Sequence, residues 1–140
     1  MRFPYHGAGI GFILDGKILM GKRSDSPFHG TWCVPGGCRE KGIDSDDLAT
    51  AIREVEEETH IDFTSLKTEY MGKWTLKVPF FSWTTFFYRL DSFDQKPVPN
   101  ELEFYELQWI DPQGILNRTD KKKHFRPFTK SEVRCLLGLI

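Results

Sequence analysis

Arg53-Glu54-Val55-Glu56-Glu57-Glu58, preceded by Trp32-Cys33-Val34-Pro35-Gly36-Gly37 and closed by Thr59-His60-Ile61, is the stretch that decides the fold. Leu48, Ala51, Ile52 and Val55 recur at i, i+3, i+4 and i+7, the spacing of one buried helical stripe. The pattern predicts a helix from about Asp46 to Thr59, with Asp44 or Ser45 as its N-cap. Asp46 and Asp47 suit the positive end of the helix dipole. At about 100° per residue, Glu54, Glu57 and Glu58 share a second face. Arg53 lies one turn back from Glu57.

That face repels itself. Like charges at i,i+3 and i,i+4 cost roughly 0.2–0.5 kcal/mol per pair, and Arg53 alone stands close enough to offset them. Three convergent carboxylates offer a hard divalent cation the oxygen ligands and negative charge it requires. A run of glutamates by itself is ordinarily a solvated face. The glycine pair upstream and Arg53 move the reading from a solvated face to a site.

The segment resembles the signature of the Nudix hydrolases. Arg53-Glu54-Val55-Glu56-Glu57-Glu58-Thr59-His60-Ile61 matches the second half of that motif at every defined position but one, and Pro35-Gly36-Gly37 matches its usual entry. Two departures stand out. The chain between Gly37 and Arg53 is two residues longer than the family pattern, and no glutamate occupies the first motif position. Asp44 is the nearest acid after allowing for an insertion, and Glu40 is the next candidate. His60 stands where the family ends its helix with glycine, and a left-handed conformation there is open to histidine at some cost.

The resemblance implies an α/β fold: a Nudix-type α/β/α sandwich with a mixed β-sheet between helices, as one domain over residues 1–140. It also implies a metal-dependent pyrophosphohydrolase. Glu54, Glu57 and Glu58 would hold Mg²⁺ or Mn²⁺, Arg53 would orient Glu57, and the backbone at Gly36 and Gly37 would give substrate a tight approach and free N–H donors. The partner implied is a small-molecule nucleoside diphosphate derivative; nucleoside triphosphate, nucleotide sugar and dinucleotide all stay open. The motif Leu19-Met20-Gly21-Lys22-Arg23, with Pro27 and Gly30-Thr31-Trp32, is similar to sugar-nucleotide hydrolases of the family and to its small triphosphatases.

Composition sets the outer bounds. A chain of 140 residues with 39% hydrophobic and 28% charged residues can build one packed core. The net charge of −1 gives no general pull toward nucleic acid or a membrane. The odd count of three cysteines, Cys33, Cys38 and Cys135, argues against a disulfide framework and for a reducing, cytoplasmic setting. A zinc site from Cys33, Cys38 and a histidine lacks a second cysteine pair. The N-terminus carries Arg2 and His6 and no long apolar run, so neither a signal peptide nor a membrane span is expected. Self-association as a homodimer stays open.

Along the chain, Gly7–Leu14 and Lys17–Arg23 read as a hairpin about Asp15-Gly16. Ser24–Gly30 reads as loop, and Trp32–Val34 as a short strand leading into a glycine loop. Arg23 closes the hairpin and is the candidate phosphate contact. Glu69–Val78 and Phe80–Leu90 read as strands, the second bulky on both rows and therefore buried on two faces. Trp74 and Trp83 are core residues or stacking surfaces for a base. Glu101–Asp111 reads as the last strand. The resemblance offers Glu101 or Glu103 as a base or further metal ligand, against the alternative of exposed charges at a strand start. Asp111-Pro112 starts a short helix. Lys121-Lys122-Lys123-His124-Phe125-Arg126 is a basic run with two readings, a contact for a polyphosphate or an RNA end and, as is usual for one short run in a near-neutral chain, a solvated loop. Thr129-Lys130-Ser131-Glu132 has the form of a capping box, and Val133, Leu136, Leu137 and Ile140 form the inner stripe of a closing helix.

Two other function classes remain from sequence. One is a catalytically inactive nucleotide-binding module that keeps the fold, suggested by the missing first glutamate. The other is a family isomerase acting on a prenyl diphosphate, which would need Cys33 or Cys38 and a second acid in the cleft.

Overall fold

A computed structural model describes residues 4–25 and 28–140. Arg2 and Pro27, both used above, lie outside the described residues. The strands are β1 (Tyr5–Leu14), β2 (Lys17–Arg23), β3 (Trp32–Cys33), β4 (Gly36–Cys38), β5 (Thr68–Val78), β6 (Phe81–Leu90) and β7 (Phe104–Ile110). The helices are α1 (Asp47–Thr59), α2 (Pro112–Asn117) and α3 (Thr129–Leu139), with a 3₁₀ turn at Phe63–Ser65.

The sheet is mixed. β1 turns at Asp15-Gly16, both with positive φ, into antiparallel β2, as that dipeptide predicts. β1 also runs parallel to β6 from Tyr5 opposite Phe81 to Ile13 opposite Arg89. β5 is the antiparallel neighbour of β6, and β7 and β3 pair with β2.

Each face of the sheet is covered by helix, as the period-2 alternation of β1 requires. Ala8, Ile10 and Phe12 point to one side and pack with Leu19 against Ala51, Val55 and Ile61 of the α1 region. Val55 is fully buried there, a gain of about 1.5–3 kcal/mol over exposure. On the other side Ile18, Met20, Trp83 and Phe87 pack against Ile115 of α2 and Val133 and Leu136 of α3. A glycine is required at position 9, because a Cβ there would meet Trp83 Cζ2 at 2.9 Å and the Pro35 carbonyl at 2.4 Å. The two bulky rows of β6 serve both layers, Trp83 and Phe87 one side and Phe86 and Leu90 the other. The α/β/α sandwich with its mixed sheet is therefore as expected.

Several local expectations are corrected. The N-cap of α1 is Asp46, which accepts from Ala49 N at 2.8 Å. Asp44 is unavailable as a cap because its carboxylate is taken by Arg53, Thr50 and the Glu40 amide. Gly36–Cys38 is a strand on β1, with Ala8 opposite Gly37, and not a loop. Only glycine allows that approach at 36, where a Cβ would stand 2.4 Å from Ala8 O and Gly9 Cα. The last strand begins at Phe104. Glu101–Glu103 form a turn, with the Asn100 carbonyl accepting from Glu103 N and Phe104 N at 2.8 Å each. The capping box at Thr129 does not form. Phe128 is the N-cap of α3, no side chain caps it, and Thr129 is already helical. Ile140 is exposed and takes no part in the inner stripe of α3.

His60 adopts the left-handed conformation, φ 61°, and its amide closes α1 on the Glu56 carbonyl at 2.9 Å. Its Nδ1 lies 2.7 Å from Val98 O. That contact ties the strained cap to the long loop before β7.

Candidate active site

Helix α1 lies across β4, and its acidic face meets the two glycines. Gly36 N donates to Glu58 Oε1 at 2.7 Å, so it is not the free donor expected from sequence. Gly37 faces Glu54 so closely that a Cβ would fall 2.4 Å from Glu54 Cδ. The turn before β7 brings a third acid. Carboxylate oxygens of Glu54, Glu58 and Glu103 all lie within 4.8 Å of one another. This is the metal-competent group among the described residues, and it contains no cysteine or histidine. Cys33, Cys38 and Cys135 are free thiols.

Sequence placed Glu54, Glu57 and Glu58 on one face. The structure brings together Glu54 and Glu58 and adds Glu103. Glu57 stands beside them, its side chain 54% exposed, accepting from Arg53 Nη1 at 3.3 Å. Of the two acids offered before β7, Glu101 is exposed and Glu103 joins the cluster. Glu103 was one of several acids ahead of a strand, and only the tertiary fold distinguishes it.

Arg53 organises the helix side of the site. Its Nε and Nη2 each donate to Asp44 at 2.9 Å, and Nη1 donates to Glu54 at 3.1 Å and to Glu57. Nη2 also reaches the Cys38 carbonyl at 3.1 Å. Asp44, with a side chain 2% exposed, is thus the acid that answers Arg53, whereas Glu40 is 3.7 Å away and more than half exposed. The Arg53 guanidinium holds the Asp44 carboxyl well below the usual carboxylate range.

The acids facing the cleft behave oppositely. Burial pushes Glu54 up to about 7; Arg53 opposes this and the charges of Glu57 and Glu103 add to it. Burial, and then the neighbouring Glu103 carboxyl, raise Glu58 well above the ordinary range. Glu103 Oε2 is buried without a hydrogen-bond partner. Carboxylates packed this closely are stable as anions when a cation sits among them. The donors are all oxygen, which suits Mg²⁺ or Mn²⁺ and disfavours soft metals. The orphaned Glu103 oxygen is an acceptor such an ion would satisfy.

The cluster forms one wall of a cleft of about 300 Å³. Gly36, Gly37 and Cys38 continue that wall, and Arg23 and Arg126 supply positive charge. Arg23 Nη2 is 2.9 Å from Asp25. Tyr5, Phe81, Trp83 and Phe128 add aromatic surface. Trp83 is core as well as lining, 2% exposed, with its indole N–H donating to Thr85 Oγ1 at 2.7 Å. Trp74 stacks on Phe128 outside the cleft lining. His29 does not line the cleft and lies 2.7 Å from the Tyr105 hydroxyl.

The residue whose burial sequence reasoning missed is Arg126. It was one charge at the end of a basic run. Its guanidinium lies 4.6 Å from the ring centres of both Trp83 and Phe128, and the residue is 6% exposed. The signal available in sequence was its flanking by Phe125 and Phe128, which is unusual for a solvated loop.

A family model described as NUDIX domain matches residues 4–131. No curated protein matches the chain. Solved structures with this architecture include a MutT NUDIX hydrolase from Burkholderia pseudomallei, 21% identical, with a TM-score of 0.67 over 93% of this chain and 95% of that one. An Ap4A hydrolase binary complex from C. elegans is 20% identical, with a TM-score of 0.74 over 95% and 96% of the two chains. A bifunctional NMN adenylyltransferase/ADP ribose pyrophosphatase from Francisella tularensis, complexed with AMP and a Mn ion, is 19% identical. Its TM-score is 0.74, over 96% of this chain and 41% of that chain. At these identities the likeness carries the fold.

Proposed function

The chain belongs to the Nudix hydrolase family, and from that premise we propose that it is a metal-dependent pyrophosphohydrolase cleaving the diphosphate bond of a small nucleoside diphosphate derivative. The observation that carries the reading is the convergence of Glu54, Glu58 and Glu103 oxygens within 4.8 Å at a cleft with two arginines on its walls. Glu54, Glu58 and Glu103 would hold Mg²⁺ or Mn²⁺, with Glu57 at the rim reached by a side-chain rotation away from Arg53. An ion held there supplies charge neutralisation on the diphosphate and lowers the pKa of water.

The chain's own groups do the rest. Gly36 N fixes the Glu58 carboxylate through its 2.7 Å hydrogen bond. Arg53 orients Glu54 and Glu57, and is itself locked by Asp44. Gly37 keeps the space that the Glu54 carboxylate fills. Arg23, on the cleft wall, takes a phosphate oxygen of the substrate. Water adds to one phosphorus, the bridging P–O bond breaks, and the other phosphate leaves with its substituent. The proton of that water passes to a carboxylate of the cluster.

The proposed setting is one catalytic domain over residues 1–140 in the cytoplasm, which the free thiols of Cys33, Cys38 and Cys135 fit. No helix among the described residues is long and apolar enough to cross a membrane. The test is a panel of nucleoside triphosphates, nucleotide sugars and dinucleoside polyphosphates with Mg²⁺ or Mn²⁺, read by product mass. Paired phosphate products from at least one class support hydrolysis. Binding of these compounds with no product from any would leave a binding module and refute the enzyme.

A further inference from the structure

Tyr5, Phe81, Trp83 and Phe128 line the carboxylate cleft with their rings in contact. Tyr5 stacks on Phe81 with ring centres 5.3 Å apart and planes 11° apart. Phe128 adjoins Phe81 at 5.9 Å and Trp83 at 6.3 Å. Rings packed in this way are ordinarily core. These border the cleft that holds the metal-competent acids, and successive rings make a surface broad enough for a bicyclic base.

The side-chain donors of that lining divide into two groups. Arg23 Nη2 is paired with Asp25 at 2.9 Å, the Trp83 indole N–H donates to Thr85 Oγ1 at 2.7 Å, and Cys38 Sγ lies 3.6 Å from the Arg39 carbonyl. The Tyr5 hydroxyl has no hydrogen-bond partner among the described residues, and neither do Arg126 Nε and Nη2. Burial pushes the Tyr5 phenol well above its ordinary value, so it keeps its proton and can donate it to a ligand.

Arg126 acts through its charge. Nε and Nη2 are buried, so they are not contacts for a ligand. The guanidinium lies 4.6 Å from the ring centres of Trp83 and Phe128 and puts a permanent positive charge into the aromatic wall. Glu132, buried in α3, does not cancel it. Its Oε2 accepts from Thr85 Oγ1, its Oε1 has no partner, and no ion pair joins it to Arg126 among the described residues. Burial raises the Glu132 carboxyl although Arg126 opposes this, which leaves a weak counter-charge.

A purine laid on that wall is sorted by its exocyclic group. Guanine and hypoxanthine present a carbonyl oxygen at position 6, an acceptor with partial negative charge. Adenine presents an amino group there, a donor with positive hydrogens. The Tyr5 proton and the Arg126 charge favour the first and oppose the second. Asp25, the acid of the lining outside the metal cluster, is already held by Arg23. Resting on the reading of this cleft as the hydrolytic site, we propose that it selects a 6-oxopurine nucleotide over an adenine nucleotide, with Tyr5 donating to the oxo oxygen and Arg126 supplying the field. The cleft, about 300 Å³, is at the small end of ligand pockets, which run from about 300 to 1,000 Å³, and encloses one nucleoside.

The test uses 5′-monophosphates, which contain no diphosphate bond to cleave. Calorimetric titrations with Mg²⁺ present compare inosine monophosphate, adenosine monophosphate and ribose 5-phosphate. The inosine compound should bind at least about tenfold more tightly than either of the others. Tyr5→Phe, which keeps the ring and its stack on Phe81, should melt with the wild type and hold Mn²⁺ equally, yet reduce the inosine-to-adenosine preference to about threefold or less. Equal or tighter binding of the adenosine compound, equal binding of ribose 5-phosphate, a preference undiminished in Tyr5→Phe, or no binding by any of the three would each overturn the proposal. Those results leave metal-dependent hydrolysis standing, because product mass reads it separately. No hydrolysis of any compound in that panel, with the inosine preference intact, would refute the enzyme and support the base selectivity of the cleft.

Discussion

Arg53 grips Asp44 with two nitrogens, Nε and Nη2, each 2.9 Å from a carboxylate oxygen, and the acid is almost wholly buried. The pair ties the loop before α1 to the middle of that helix, and the free end of the guanidinium then sets Glu54 and Glu57. Asp44→Ala leaves a part-buried guanidinium without its main partner, so stability should fall by about 3–5 kcal/mol in urea unfolding. Arg53→Lys keeps a charge but cannot make the bidentate contact. Its kcat/KM should drop by about 10–100-fold, the usual cost of losing a residue that orients ligands.

The same pair sets an acid limit. Arg53 depresses the folded-state pKa of Asp44, so the unfolded chain binds the proton more readily. Its contribution is complete above the unfolded value, about 3.9, and is lost as pH falls from there toward the lower folded value. Urea midpoints measured from pH 6 down to pH 2 should therefore fall more steeply for the wild type than for Asp44→Asn.

Adjacent glycines should fail in different ways. At Gly36 an added Cβ meets backbone, Ala8 O and Gly9 Cα at 2.4 Å, which cannot yield without moving the strand. Gly36→Ala should cost about 1–3 kcal/mol or more, the range for forced overpacking. At Gly37 the Cβ meets the end of the Glu54 side chain, which can swing away. Gly37→Ala should keep its melting temperature and lose metal affinity by at least about tenfold. Thermal unfolding and Mn²⁺ titration on both variants separate the two effects.

Metal binding should depend on pH near neutrality. Burial holds Glu54 up to about 7 and raises Glu58. In the metal-free protein the folded state therefore binds more protons than the unfolded chain between about pH 4.5 and 7, and stability falls as pH rises through that window. A cation must displace those protons, so its affinity should climb from pH 6 to pH 8. Calorimetric titration with Mg²⁺ in buffers of different ionisation enthalpy should show proton release at pH 6.5 and less at pH 8.

Much of this was readable because it is local. The apolar stripe Leu48–Val55, the Asp15-Gly16 turn and the doubly bulky β6 each state their structure through period or turn chemistry within a few residues. Glu54 and Glu58 also follow from one helix face. Glu103 does not, because it reaches the cluster through a turn anchored on Asn100, far along the chain. Asp44 ranked ahead of Glu40 only by its place along the chain; folding separates them physically, burying Asp44 against Arg53 and leaving Glu40 in solvent. Arg126 was hidden for a related reason. Its charge belongs to a basic run, and its burial is decided by Trp83 and Phe128, one of them on a distant strand. The misread cap of α3 shows the limit of a motif: Thr129 has the right neighbours, but the helix begins one residue earlier, on Phe128.

The carboxylate cluster is the centre of the account, and anomalous diffraction from a crystal soaked in Mn²⁺ tests it most directly. The account predicts a peak bounded by oxygens of Glu54, Glu58 and Glu103, and its loss in the Glu58→Gln variant with the fold unchanged. A peak elsewhere, or three side chains turned apart with no density among them, would contradict it.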